Sequence, residues 1–361
     1  MRHSVIIVFF IACVSWWTPV RGQTPIAQRQ VQRAIVLLNR GKYAEAEKIL
    51  RQVVSKHPSY HEARYELALA LSLQQKFQEA LITCLPLCDT SLPKDQQRDH
   101  YYHLLGNLYA QQDDTTRADS VYQLGLKRFP TSARLHVELA IRQAIRGDLE
   151  EALESIESAI SGDPTYPLSY YWGARFYRAS TERIWALFYA EIFLNLRPNS
   201  PKADEMSTLW YNLLREVIEE FDQQGRIVLS REIRGNAEDT KRPFPEVYAE
   251  VLTTAARSLR FFRDFELPLA SIDTLFREFL MQWESQGYAK IYPNILIERQ
   301  QQLWKAGLLE PYVFVLAQHG KPMQFEQYAK QNRRQLRRLE QWISHNRLVI
   351  TRENYVSRYR W

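Results

Sequence analysis

Cysteine is scarce in this chain, at three in 361 residues, too few to staple a disulfide-built scaffold. Glycine (12) and proline (16) are sparse as well, which excludes collagen-like, linker-dominated and low-complexity chains. No apolar run reaches the roughly 18 residues that a membrane-spanning helix requires, so a bundle of spanning helices is excluded. GxSxG, HExxH, Walker-type and GxGxxG motifs are all missing, and so few glycines leave little place for a phosphate-cradling loop. What is present is 45% apolar and 24% charged residues, enough to bury a core of ordinary size.

The amino terminus reads as an address. Met1, Arg2 and His3 make a short basic start, Val5 to Trp17 is apolar apart from Ser15, and Val20-Arg21-Gly22 places small side chains where a signal peptidase acts. This layout predicts a signal peptide over residues 1–22 and export across the inner membrane to the periplasm. Cys13 lies inside the apolar run rather than closing it, which argues against a lipid-modified start. The formal charge of +6 falls to +4 once Arg2 and Arg21 are removed. Residues 330–361 alone carry +7, from nine basic residues against Glu340 and Glu353, so the rest of the mature chain is slightly acidic. A high isoelectric point often signals nucleic acid, but an exported chain rarely meets any, and no nucleic-acid partner is expected.

A period of 34 residues runs through the first half. Pro130, Pro164 and Pro198 keep that step, as do Ala118, Ala152 and Ala186, and Gly106, Ala140 and Ala174. Upstream, Ala34 with Ala68 and Ala46 with Ala80 repeat it, and the register slips by four residues across the polar stretch Asp89–Asp99. Each unit alternates two amphipathic helical stretches with a polar break, such as Gln74-Gln75-Lys76 or Arg146-Gly147-Asp148. Small residues at fixed points let helices approach, and Leu50, Tyr122, Ile156 and Phe193 fill the space beside them.

Tyr102, Leu105, Gly106, Tyr109, Ala118, Tyr122 and Pro130 form a pattern that resembles the tetratricopeptide repeat family. The resemblance covers five units over residues 27–200, with Tyr43, Ala46, Leu50 and Pro58 marking the first and Tyr170, Ala174, Tyr177, Ala186 and Pro198 the last. The second unit departs most, with Pro86 inside its second helix, where a kink or early stop is expected. The family implies an all-α, right-handed superhelix whose concave face is lined by the first helix of each unit. Residues 201–222 are expected to cap the stack. Carried over by the family pattern, the groove would include Val31, Ile35, Leu38, Tyr65 and Leu69. His100, His103, Asn107 and Gln111 would follow, and Arg134, Tyr171, Arg175 and Arg178 would make a cationic end suited to an acidic peptide terminus.

Beyond the repeats the period disappears. Residues 223–245 hold Gly225, Gly235, Pro243 and Pro245 among charged residues and read as a connection. Val247–Leu259, Ile272–Trp283, Ile295–Leu309 and Phe325–Ile343 read as helices of a basic module over residues 246–361, which either forms its own core or packs on the repeats. Arg333, Arg334, Arg337 and Arg338 give this module a basic surface. It suits peripheral contact with an anionic membrane, an acidic partner, or acids on the repeats themselves.

Chemistry is thinly marked. Cys84-x3-Cys88 with His100-x2-His103 copies zinc-ligand spacing, but the repeat register puts the cysteines on a second helix and the histidines on the next first helix. No metal or cofactor is therefore expected, and a Cys84–Cys88 disulfide is the other pairing open to an oxidising compartment. Glu219, Glu220 and Asp222 read as a solvated acidic face, and His319 and His345 are isolated. The leading expectation is a non-catalytic scaffold that binds a peptide segment of a cell-envelope partner. The alternatives are an envelope-polymer enzyme with its catalytic groups in residues 246–361, and a membrane-surface adaptor working through the basic tail.

Overall fold

The computed structural model describes residues 25–230, 242–259 and 267–360. The signal peptide expected over residues 1–22 and part of the expected 223–245 connection lie outside the described residues. Helices make up all of the regular structure there, with no strand among the described residues. The chain divides into two compact units, one up to Phe129 and one from Pro130 onward.

The first unit holds α1 (Pro25–Asn39), α2 (Tyr43–Lys56), α3 (His61–Leu73), α4 (Phe77–Cys84), α5 (Asp99–Gln111) and α6 (Thr115–Arg128). Each packs on the next in order. The positions that carry the period explain why: Ala34, Ala46, Ala68, Ala80 and Ala118 are fully buried. At Gly106 the approach is closest, and a Cβ there would overlap the ring of the buried Tyr122. Pro86 has the expected effect, since α4 ends at Cys84 and gives way to a 3-10 turn over Leu85–Cys88. The register slip at 89–99 is held by one side chain. Gln97 is fully buried, donates to Asp89 O (2.8 Å) and Leu92 O (3.0 Å), and accepts from the Tyr102 hydroxyl at 2.7 Å. The inserted loop thus has its inward carbonyls satisfied without secondary structure.

The second unit continues the pairs with α7 (Ala133–Arg146), α8 (Leu149–Gly162), α9 (Pro167–Arg178) and α10 (Arg183–Leu196), followed by α11 (Ala203–Gln224). Then come α12 (Phe244–Ala256), α13 (Leu269–Ser285), α14 (Tyr288–Ile291), α15 (Ile295–Lys305), α16 (Leu309–Leu316), α17 (Pro322–Gln331) and α18 (Arg333–His345). The helix expected over Ile295–Leu309 stops at Lys305, with a further helix, α16, starting at Leu309, and the one expected over Phe325–Ile343 is two. Gly307, at φ 67°, separates α15 from α16, a backbone state that glycine enters without strain. Asn332 separates α17 from α18, its amide side chain donating back to Tyr328 O at 3.1 Å in competition with the helix ladder.

The helices after residue 243 share one core with the repeats from residue 133. The reason lies in α10, where every residue from Ile184 to Leu194 is buried. A helix that is apolar all round must be covered all round. Trp185 and Phe188 meet Phe244 at 6.2 and 5.8 Å, Phe188 meets Tyr248 at 5.2 Å, and Phe279 stacks on Trp283 at 5.4 Å. The expected cap, α11, is itself covered: Ser207 donates to Leu316 O (2.7 Å) and Tyr211 to Leu267 O (2.9 Å). The described part of the connection is packed too, with Ile184 N donating to Leu229 O at 3.2 Å and Leu229 fully buried.

The chain then returns as a strap. Residues 346–360 carry no helix, yet Ile350, Val356 and Ser357 are buried. Glu157 on α8, fully enclosed, accepts from Ser357 Oγ (2.6 Å) and Arg358 N (3.3 Å) of the strap, and from the Tyr177 (2.6 Å) and Tyr189 (2.7 Å) hydroxyls of α9 and α10. Burial raises its pKa, partly offset by these donors. Arg358 also reaches Glu150 at 2.7 Å.

Candidate functional site

The helix pairs present their first helices, α1, α3, α5, α7 and α9, as the faces on which a site was expected. In the first unit Tyr65 and Leu69 on α3 and His103 and Asn107 on α5 are half-buried and keep contact with solvent. The Tyr65 ring meets His100 edge-on at 4.5 Å and Tyr101 at 5.5 Å. His103 Nε2 lies 3.3 Å from Asn107 Nδ2, and Asn107 Oδ1 accepts from the Tyr122 hydroxyl. These bonds fix the polar side chains on a rigid helix pair. Val31 and Leu38, expected beside them, are buried and belong to the core; their apolar side chains are taken up under neighbouring helices.

Two residues of this face were not read from the sequence. Glu62 and Glu66 lie one turn apart on α3, with Glu62 Oε2 3.4 Å from the Tyr101 hydroxyl and 3.9 Å from His100 Nε2. Two carboxylates at i and i+4 on a first helix are the signal that could have found them.

The second unit treats its expected cations differently. Tyr171 is buried and donates to Glu205 on α11 at 2.6 Å. Arg175 donates to the Tyr171 hydroxyl (2.9 Å), lies 3.4 Å from Glu205 and covers the Trp172 ring at 4.8 Å. Arg178 donates to both oxygens of Glu216, at 2.6 and 2.5 Å. Arg134 lies 6.0 Å from the Tyr166 ring. Tyr171 and Glu205 are 34 residues apart, so these pairs run from one first helix to the helix one repeat further on. An acidic peptide end at Arg175 and Arg178 would have to displace α11's own carboxylates.

On α18 the four arginines Arg333, Arg334, Arg337 and Arg338 are all exposed or half-exposed. Arg338 donates to Gln335 at 2.9 Å, and none of the four pairs with an acid among the described residues. The expectation that acids on the repeats answer the basic tail is met at Arg358, because it is the strap, and not α18, that reaches back to Glu150 and Glu157. Elsewhere Glu219 pairs with Arg215 (2.5 Å) and Glu220 with Arg183 (2.6 Å), so this acidic face is neutralised. His319 lies 3.1 Å from Asp204, and His345 contacts Gln341 O of its own helix at 2.7 Å.

Cys84 and Cys88 are free and buried, not disulfide-bonded. Cys84 Sγ donates to Tyr101 O at 3.7 Å, and its thiol is pushed well up by its hydrogen bond with Cys88 and by burial. A thiol held so is not a reactive thiolate. Among the described residues no three His, Cys, Asp or Glu side chains converge as metal ligands, and no helix is long and apolar enough to cross a membrane.

A stack of helix pairs with a 34-residue step defines a helical-repeat protein. Residues 31–88 and 103–167 match the family model of the tetratricopeptide repeat. Solved structures similar to it include a thermophilic TPR protein of Thermus thermophilus, at 20% identity, 52% of this chain, 98% of that one and a TM-score of 0.43. MamA of Desulfovibrio magneticus is similar at 16% identity, 49% and 98% coverage and a TM-score of 0.38. PilF of Pseudomonas aeruginosa is similar at 17% identity, 50% and 95% coverage and a TM-score of 0.34. No curated protein matches the sequence.

Proposed function

We propose that the chain is an exported, periplasmic, non-catalytic scaffold that holds an extended segment of a cell-envelope protein on the first-helix face of α3 and α5. One contrast carries this reading. The same face is occupied by the chain's own Glu205 and Glu216 in the second unit, whereas in the first unit Tyr65, Leu69, His103 and Asn107 remain open to solvent. The role assigned to Arg175 and Arg178 from the sequence therefore passes to the first unit. The unpaired arginines of α18 are proposed as a second contact, for an acidic surface of the same partner. The non-catalytic part of the reading is supported by acids of residues 242–360 that are taken up by neighbouring cations: Glu246 and Glu250 both take Arg242, at 2.7 and 2.6 Å, and Asp273 takes Arg277 at 2.7 Å.

The test is crosslinked capture from envelope extract with the full chain, Leu69→Glu, and Arg334→Glu combined with Arg337→Glu. Loss of one defined protein with Leu69→Glu, and weakened, salt-sensitive capture with the arginine pair, is expected. Capture that ignores Leu69→Glu and fails with the arginine pair would move the binding surface to α18.

A further inference from the structure

Glutamate is rarely buried unless it is paired, and among the described residues five are buried: Glu47, Glu66, Glu157, Glu182 and Glu191. Four of them receive hydrogen bonds. Glu47 takes Arg51, Gln74 and Lys76; Glu157 takes Tyr177, Tyr189 and Ser357; Glu182 takes Ser230; Glu191 takes Gln300 and Tyr312. Glu66 is the exception. It is 8% exposed and has no donor. The Tyr60 hydroxyl, close enough to feel both Glu62 and Glu66, is buried and likewise without a partner. Buried polar groups in native proteins are nearly always satisfied, so an orphaned tyrosine hydroxyl near a carboxyl that receives no hydrogen bond asks for a missing partner.

The base that the chain itself brings here is His100, 3.9 Å from Glu62, and no arginine or lysine joins it. Arg64 is turned to Pro58 O at 3.1 Å, and Arg98 to Asp95 O and Gln97 O at 2.5 and 2.7 Å. Glu66 feels a second carboxylate, Glu62, and the His100 ring, and His100 in turn packs against Tyr65 at 4.5 Å and Tyr101 at 4.7 Å. The immediate surroundings of Glu62 and Glu66 thus differ from the cationic peptide end that the sequence suggested: they offer two carboxyls beside aromatic rings.

We propose that Glu66 and Glu62 seat the guanidinium of an arginine side chain in the partner segment, laid against the half-buried ring of Tyr65. This rests on the reading above that the α3–α5 face holds a peptide. A guanidinium is flat, weakly hydrated and always charged, it presents several N–H groups at once, and it stacks on aromatic faces. It would therefore meet both carboxyls and the ring together, which a compact ammonium does less well. Burial and the neighbouring Glu62 push the Glu66 carboxyl up to about 8, so the empty seat holds a neutral acid and an arriving cation draws out the carboxylate.

A random nonapeptide library displayed on phage is selected on the full chain, with Glu66→Gln and Leu69→Glu carried in parallel. Enriched peptides are expected to share an arginine at one fixed position. Replacing it by citrulline, its neutral isostere, should weaken binding about tenfold or more, the usual range for a charge-assisted hydrogen bond. Glu66→Gln should weaken the arginine peptide equally and leave the citrulline peptide nearly unchanged. Glu62→Gln, at a half-exposed position, serves the same comparison should Glu66→Gln fail to fold. Peptides that lose binding with Leu69→Glu yet carry no fixed arginine, or tolerate citrulline, would overturn the seat and leave the peptide face standing. Peptides indifferent to Leu69→Glu would overturn both.

Discussion

Replacing Glu157 by alanine should free the carboxy-terminal strap from the repeats. The carboxylate is fully enclosed and accepts three hydroxyls, from Tyr177, Tyr189 and Ser357, and the amide of Arg358. All three hydroxyl-bearing residues are at most 1% exposed, so water cannot replace the lost acceptor. A buried donor left without a partner costs about 1–3 kcal/mol, and the donors share one acceptor, so their losses do not add. A net loss of about 4 kcal/mol is expected, a large part of a stability that is ordinarily about 5–15 kcal/mol. Glu157→Gln keeps one acceptor oxygen and should lose roughly half as much. Urea unfolding followed by tryptophan fluorescence gives the stability change. Tryptic cleavage after Arg358, whose side chain is 5% exposed in the folded protein, reports release of the strap. If Glu157→Ala lowers stability by less than about 1 kcal/mol and Arg358 stays resistant, the carboxylate does not hold the strap.

Gly106→Ala forces a methyl group into the Tyr122 ring, and overpacking of this kind should lower stability by about 1–2 kcal/mol even after alanine's better helix propensity is counted; an unchanged urea midpoint would show that Tyr122 yields. Glu66 has its pKa raised by burial and by Glu62, with Tyr60 beside it and His100 facing it from α5. A carboxyl protonated in the fold and ionised when unfolded makes stability fall as pH rises from about 4.5 to 8, here by about 3–5 kcal/mol. Wild type should therefore lose ground to Glu66→Gln between about pH 5 and pH 8.5 in urea titrations, and parallel curves would refute the unpaired burial. Cys84 and Cys88 should resist Ellman's reagent in the native protein and react fully in urea, as read by mass spectrometry of the labelled peptides; fast native labelling would contradict their packing in the core.

The repeat architecture was legible because it is periodic. Every small residue that carries the 34-residue step is also a contact point between helices, so one alignment of the chain with itself locates both. Pro86 was legible for a local reason, since the ring stops a helix wherever it falls. The packing of the carboxy-terminal helices on the repeats was written in α10, whose run Ile184–Leu194 is buried on every side. That run was assigned to its place in the repeat, and its need for an outer cover was not followed through. The pairing of Arg175 and Arg178 with Glu205 and Glu216 follows from the repeat register, but only once the helix after the last repeat is known to continue that register. Glu157 was invisible as an anchor, because its four donors come from α9, α10 and a strap 200 residues away. Glu66 was overlooked because attention went to cations and aromatics, whereas what marks it is the absence of a partner, which a sequence does not display.

The most direct measurement is a hydrogen-exchange map of the full chain with and without its captured partner. The scaffold reading predicts slowed exchange in residues 61–73 and 99–111, the α3 and α5 helices, with a smaller effect on 333–345. Protection confined to 333–345, or spread over α4 and α6 with α3 and α5 unchanged, would contradict it.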